Sequence, residues 1–491
     1  MSQKPDYYAL LGIFRDATEG EIKRAYFKAA QRLHPDKNKA PGETEFFLAI
    51  QQGYEILSDP EKRAEYDAEL SPEESLASPI AERIFYSRQS LVHLKEPQLL
   101  YTLLEWKPRQ TEGKIPAPPL NICIIIDRST SMQGQKMDMV KAATTQLMRS
   151  LRPDDIFGVV TFSDRAEVVI PASYQANRNQ LESRIQMIQP SGGTEMFPGL
   201  EAGVNEIRSS LETGRVNQII LLTDGHTYGD EQDCLSLAKE IGNRGINISA
   251  FGIGKDWNDS FLDSLANLTG GTAMYVADPQ DIQKMLTEKF KALVNVYADE
   301  AVLEYNIPPG VDLTYAFRML PETSPLTGEG PMHLGPILQD IRLSVLLEFR
   351  IQPSAVTSDS VKLFEGLMNV VIPSRPTPIP PLRIRISRPV TDEPIAEPPS
   401  SDILHALSRM NLYRMQEMAQ QEVDSGKYAE ASRRLQHLAT HLLESGERGL
   451  ARTVLLEAEN IIRKQSLSAD GRKEIKYGTR ALLLSGEEEL I

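Results

Sequence analysis

The segment Asn121–Met132, NICIIIDRSTSM, opens on the unbroken apolar run Ile122–Ile126 and closes on an Asp-x-Ser-x-Ser cluster. The run is rich in β-branched isoleucine and too short for a helix, so it predicts a buried strand. Its end delivers one carboxylate, Asp127, and two hydroxyls, Ser129 and Ser131, onto a tight loop.

Downstream the pattern alternates. An amphipathic helix over 136–151 is followed by strands at 157–162 and 167–170, then by helices near 178–188 and 198–211. A strand at 218–223 comes next, then a helix at 231–241, a strand at 247–252, a helix at 259–269, a strand at 273–276 and a helix at 281–294. Strands alternating with helices imply a mostly parallel, doubly wound sheet. Its functional crevice belongs at the carboxyl ends of the strands. Two further loops are expected there: Ser191-Gly192-Gly193-Thr194, with a hydroxyl, and Asp224-Gly225, at the end of the strand at 218–223. Each loop alone is an ordinary helix cap. Together they supply hard oxygen donors from three loops, the donor type that suits Mg²⁺ or another divalent cation such as Mn²⁺ or Ca²⁺.

Residues 120–296 resemble a von Willebrand factor A domain through NICIIIDRSTSM, SGGTEMFPGL and IILLTDG. The resemblance implies a metal-ion-dependent adhesion site with Asp127, Ser129, Ser131, Thr194 and Asp224 as its ligand set. It implies direct contacts from the two serines, a direct or water-mediated contact from Thr194, and contacts through water from the two aspartates. It also implies an open position filled by an acidic side chain of a partner protein.

Towards the N-terminus, Ile22, Ala25, Tyr26, Ala29 and Leu33 recur at helical spacing, with Thr18 as a candidate N-cap. Phe46, Phe47, Ile50, Tyr54 and Leu57 form a second stripe, and a short helix at 60–67 follows. The two long stripes would pack antiparallel around the polar loop 34–42. Lys23, Arg24, Lys28 and Arg32 give the first helix a basic face, and Pro35 stiffens the loop between His34 and Asp36. Through PDYYALLGI, AYFKAAQRLHPDKN and AIQQGYEILSDPEKRAEYD, residues 5–67 resemble the J-domain of DnaJ-type co-chaperones. The resemblance implies docking on a DnaK-type chaperone and stimulation of its ATP hydrolysis. His34, Pro35 and Asp36 would form the contact, with Lys23, Arg24, Lys28 and Arg32 as electrostatic partners. No Gly/Phe-rich linker and no Cys-x-x-Cys zinc module follows, so client binding must come from elsewhere in the chain.

Both flanks of the α/β region read as strands only, and they predict a β-sandwich into which that region is inserted. Nine prolines in the 28 residues 373–400 exclude a helix there and mark an edge strand with an extended linker. Beyond it, helices are expected at 402–424, 427–444 and 448–464 as an antiparallel bundle, in preference to a repeat array built on the 20-residue spacing of Gly426 and Gly446. The expected fold is therefore multidomain, α and α/β plus β. Its units are a helical J-domain (1–70), a linker and first sandwich segment (71–119), and a doubly wound, Rossmann-like von Willebrand A domain (120–296). A second sandwich segment (297–390) and a Pro-rich linker with C-terminal helices (391–491) complete it.

Composition narrows the function. In 491 residues, 53 Lys and Arg stand against 68 Asp and Glu, a net charge of −15. That balance argues against nucleic acid or an anionic membrane as the main partner. With 41% hydrophobic and 25% charged residues the chain is neither disordered nor fibrous. Two cysteines, Cys123 and Cys234, cannot build a disulfide framework, and no secretory signal or spanning segment is visible, so a cytoplasmic protein is expected. Gly252-Ile253-Gly254 lacks the third glycine of a dinucleotide loop and reads as a strand-to-loop turn. His226 lies near the crevice as a loop residue, and His437 and His441 read as helix-face residues. No nucleophile–base constellation marks an enzyme. The expected function is a co-chaperone that directs a DnaK-type chaperone to a protein bound through the metal site. A metal-dependent assembly scaffold, with chaperone stimulation secondary, is the alternative.

Overall fold

A computed structural model describes residues 7, 11, 19–33, 43–69, 78–109, 116–174, 177–212, 214–227, 229–326, 330–375, 378–393 and 399–483. The N-terminal helices are α1 (Glu19–Leu33), α2 (Glu43–Leu57) and α3 (Pro60–Glu69). Ile22, Ile50, Leu57 and Tyr66 are buried between them. Tyr26 stacks on Tyr54 with ring centroids 4.2 Å apart, and the Tyr66 hydroxyl accepts from the Tyr7 amide at 2.9 Å. The expected cap, Thr18, lies outside the described residues.

Three strands follow: β1 (Ile80–Tyr86), β2 (Leu91–Val92) and β3 (Gln98–Pro108). The α/β unit then contains β4 (Leu120–Asp127), α4 (Gln135–Ser150), β5 (Ile156–Phe162), β6 (Ala166–Tyr174), α5 (Arg178–Gln186), α6 (Met196–Ser209) and β7 (Val216–Thr223). It continues with α7 (Glu231–Gly242), β8 (Ile246–Ile253), α8 (Asp259–Asn267), β9 (Ala273–Val276) and α9 (Ile282–Val294). Its six strands are ordered β6-β5-β4-β7-β8-β9, parallel except for β6. The strand β4 is buried along its whole length. Ile122, Ile124 and Ile126 face a core with α4, α5 and α9, while Cys123 and Ile125 face a core with α6, α7 and α8. Helices on both faces explain the absence of polar alternation along β4. Since β5 lies on one side of β4 and β7 on the other, the chain switches direction between β4 and β7, where a crevice opens at the strands' carboxyl ends. Asp127 and Asp224 stand there.

After the α/β unit come β10 (Val296–Asn306), β11 (Val311–Leu320), β12 (Ser324–Pro325), β13 (Met332–Leu338), β14 (Leu343–Ile351), β15 (Ser360–Val371) and β16 (Leu382–Thr391). They join the first three strands in two sheets, β1-β3-β14-β11-β12 and β13-β10-β15-β16-β2. The α/β unit is thus inserted between β3 and β10 of a β-sandwich. One core, which includes Leu100, Trp106, Leu303, Val345 and Phe364, draws residues from before and after the insertion. The flanks offer strand candidates in sequence at 90–106, 301–305, 312–317, 340–351, 366–372 and 382–387; β12, β13 and β1 are additions, and the residues of β1 are mostly half-buried or exposed and so carry a weak apolar pattern. Arg318 ties the two units together. It is 1% exposed and donates to the carbonyls of Gly270, Gly271, Glu322 and Leu334 at 2.6–2.8 Å. A buried guanidinium without such partners would be strongly unfavourable.

The C-terminal helices are α10 (Ser401–Asp424), α11 (Tyr428–Glu444), α12 (Arg448–Lys464) and α13 (Ala469–Leu482). The bundle expected from sequence had three helices, and α13 is the addition. Its apolar signal is weak because its buried face carries Lys473 and Arg480 beside Ile475. It also has glycine at position 471, where a Cβ would meet the Glu457 side chain at 2.3 Å. Charge is added to the packing of Ile475 and Tyr477. Arg480 makes a two-pronged contact with Asp263 of α8, at 2.7 Å on each prong. Lys476 reaches both Asp259 and Asp263, and Arg472 reaches Asp259 at 2.6 Å. Ile403, Met410 and Tyr413 of α10 pack on the sandwich through Leu103, Phe317 and Leu346. Among the described residues no helix is long and apolar enough to cross a membrane.

Candidate functional site

Three loops meet at the switch point. The first leaves β4 at Asp127, whose two carboxylate oxygens are already engaged. Oδ1 accepts the Ser129 amide at 2.8 Å, and Oδ2 accepts the Thr223 hydroxyl at 2.7 Å. Asp127 is fully buried, which pushes its carboxyl above the usual range. Those hydrogen bonds oppose the shift, and the neighbouring Asp224 adds to it. The first loop then holds Ser129, buried, and Ser131, exposed, with their hydroxyl oxygens 2.9 Å apart. From the third loop Asp224, also buried, accepts the Ser131 hydroxyl on Oδ1 at 2.7 Å.

The second loop is stitched to the first by backbone. The Ser191 amide donates to the Arg128 carbonyl at 2.6 Å and the Thr130 amide to the Gly192 carbonyl at 3.2 Å. Asp164, on the turn after β5, accepts the Gly193 amide at 2.7 Å and so fixes the stretch that leads to Thr194. Thr194 is half-buried, and its hydroxyl stands 3.5 Å from where a Cβ on Gly225 would lie, which places it beside the third loop. All five residues expected to act together are therefore gathered at one crevice.

The donor set fits a hard divalent cation. It comprises two carboxylates and three hydroxyls, all oxygen. Adjacent oxygens of an octahedral shell with bonds of about 2.1 Å stand about 3.0 Å apart. The Ser129–Ser131 and Ser131–Asp224 spacings of 2.9 and 2.7 Å lie near that value, which is also that of an ordinary hydrogen bond. Among the described residues no cluster of three or more His, Cys, Asp or Glu side chains could hold a metal ion, so a cation at this crevice would rely on hydroxyls.

Three contributors were not anticipated from sequence. Thr223 and Asp164 position the loops, and Lys136 of α4 donates from Nζ to Asp224 Oδ2. Lys136 left one signal. A lysine in the first turn of a helix opposes the helix dipole, so some other partner must hold it there. His226 is exposed on the rim. The turn read at Gly252-Ile253-Gly254 is present, with Gly254 at φ +71°, and a Cβ on Gly252 would enter the Trp257 ring. Cys123 and Cys234 are buried core residues, and burial pushes both thiols up.

At the other candidate site, Lys23 and Arg24 are exposed on α1, as a basic docking face requires. Lys28 and Arg32 lie on the same helix. His34, Pro35 and Asp36 lie outside the described residues.

Comparison with known proteins matches three stretches of the chain. Residues 6–67 match the DnaJ domain family, residues 121–288 the von Willebrand factor type A domain family, and residues 401–485 the Sll0103-like, C-terminal alpha-helical domain family. The chain joins a DnaJ domain to a von Willebrand factor type A domain. It is 30% identical to protein sll0103 of Synechocystis over 230 residues, 47% of this chain and 54% of that one. It is 54% identical to the chaperone protein DnaJ of Methanosarcina thermophila over 67 residues, 14% of this chain and 17% of that one. The matches thus span about half of sll0103 and under a fifth of the chaperone. A solved structure, the von Willebrand factor type A from Catenulispora acidiphila, superposes with a TM-score of 0.64 at 17% identity, covering 83% of this chain and 98% of that one. The shared fold therefore extends beyond the α/β unit of the von Willebrand A domain.

Proposed function

We propose that the chain is a cytoplasmic J-domain co-chaperone that brings a DnaK-type chaperone to a protein held by its von Willebrand A domain. It acts as an adaptor rather than an enzyme. The observation that carries this reading is the convergence of Asp127, Ser129, Ser131, Thr194 and Asp224 at one crevice of a chain that also carries a DnaJ domain. A bound Mg²⁺ would supply a coordination position open to an acidic side chain of the partner. Ser129, Ser131 and Thr194 would hold the ion with neutral oxygens, and Asp127 and Asp224 would provide the negative charge. Thr223 and the Ser129 amide keep Asp127 oriented, so the cluster is built before a partner arrives. At the other end, the exposed Lys23 and Arg24 support docking on an acidic chaperone surface, and His34-Pro35-Asp36 would carry the stimulation.

Two assays test the halves separately. ATP turnover by a DnaK-type chaperone should rise when the chain is added and should not rise with His34→Gln. Stimulation that survives His34→Gln overturns the co-chaperone half. Partner capture should be lost with chelator and with Asp127→Ala, and capture that persists in both overturns the metal bridge. Metal-dependent capture without any ATPase stimulation would instead favour an assembly scaffold.

A further inference from the structure

Lys136 is the unexpected member of the crevice. Its ammonium contacts Asp224 Oδ2 while Oδ1 of the same carboxylate takes the Ser131 hydroxyl. The Asp224 side chain is 0% exposed and that of Lys136 28% exposed, so the carboxylate is sealed in and the ammonium reaches it from the rim. The lysine's surroundings allow it little else to do. Its Nζ also lies 3.4 Å from the Ser131 carbonyl. Behind it is Gly254, where even an added Cβ would stay 3.9 Å from the lysine's Cε and Nζ. That glycine is held from behind, because Trp257 Nε1 donates to its carbonyl at 2.7 Å. The ammonium is therefore lined on that side by a fixed turn.

Resting on the metal-site reading above, we propose that Lys136 is a tethered cation that competes with the divalent ion for Asp224. A carboxylate buried without a positive partner is costly. Without metal, Lys136 supplies that partner and keeps Asp224 and Ser131 in place. With metal, the second charge falls within a few ångströms of the ammonium, and the two repel in a poorly screened setting. Lys136 must then loosen from Asp224, and its partly exposed position at the rim lets it turn towards solvent. The lysine thus sets the affinity of the site. The crevice stays ordered while empty, and it binds the ion more weakly than its oxygen donors alone would.

The test is calorimetric titration of Mg²⁺ onto the full chain, with thermal unfolding followed with and without Mg²⁺. Lys136→Met keeps the stem and removes the charge, and Lys136→Arg keeps a charge. Loss of a charge-assisted contact that opposes the ion should tighten Mg²⁺ binding by about tenfold or more in Lys136→Met. Lys136→Arg should stay near wild type. Lys136→Met should also unfold at a lower temperature without metal and gain more than wild type when Mg²⁺ is added. Wild type that binds Mg²⁺ while Lys136→Met binds it equally or less tightly overturns this proposal and leaves the metal site standing. Failure of wild type and both variants to bind Mg²⁺ overturns the metal site itself, and the competition with it.

Discussion

Two pairs of buried aspartates in the same α/β unit have opposite surroundings. Asp259 and Asp263 of α8 face Arg472, Lys476 and Arg480 of α13, three fixed cations for two carboxylates. Asp224 contacts one lysine, and the other partners of Asp127 and Asp224 are hydroxyls and an amide. The first pair is saturated and has no use for another ion. It fastens the C-terminal helices to the von Willebrand A domain. The second pair keeps a charge deficit at an open edge, with neutral oxygens at the spacing an ion needs. Burial of aspartate alone does not distinguish a joint from a binding site. The count of fixed positive charge around it does.

The largest effect expected from breaking this contrast is at the joint. Arg480→Met leaves Asp263 with only Lys476 and should cost about 3–5 kcal/mol. An earlier thermal transition by circular dichroism checks it, and faster amide exchange in α13 would locate the loss. At the crevice, Asp127→Ala should weaken Mg²⁺ binding by at least about 10–100-fold, since metal-site partners of this kind carry that much affinity, while thermal stability changes less than in Arg480→Met. Titration calorimetry and a melting curve on the same sample check both halves.

Acid should separate the pairs as well. Burial works to raise the Asp263 carboxyl, but the charges of Arg480 and Lys476 outweigh it and hold it below the usual range. A depressed carboxyl adds stability above its unfolded value of about 3.9, and that stability is lost as pH falls through the folded value. Wild type should therefore lose stability as the solution is taken below about pH 4, and Asp263→Asn should show a flatter acid limb of melting temperature against pH. The smallest effect is expected from Thr223→Val, which removes one hydrogen bond to Asp127 at a cost of about 1–2 kcal/mol. Its readout is a modest loss of Mg²⁺ affinity without loss of the fold.

The crevice was legible in the sequence and the joint was not, for a physical reason. Asp127, Ser129 and Ser131 follow an unbroken isoleucine strand, and Asp224 follows another, so strand ends and donors are read together. The doubly wound sheet and its insertion in a sandwich follow from the same alternation of patterns. Helix α13 gives a weaker apolar signal, because Lys473 and Arg480 occupy positions where apolar residues would announce a buried face. Asp259 and Asp263, the partners of Lys476 and Arg480, lie more than 200 residues away, and nothing local marks the pairing. Lys136 and Thr223 are close in sequence to the recognised loops, yet their roles depend on side-chain direction across two loops, which spacing does not encode.

The most direct measurement is Mg²⁺ titration calorimetry on the wild-type chain, Asp224→Asn and Asp263→Asn, each held below its own unfolding transition. The account expects binding heat from wild type and Asp263→Asn and none from Asp224→Asn. Wild-type binding that survives Asp224→Asn, or that is lost in Asp263→Asn alone, would contradict it.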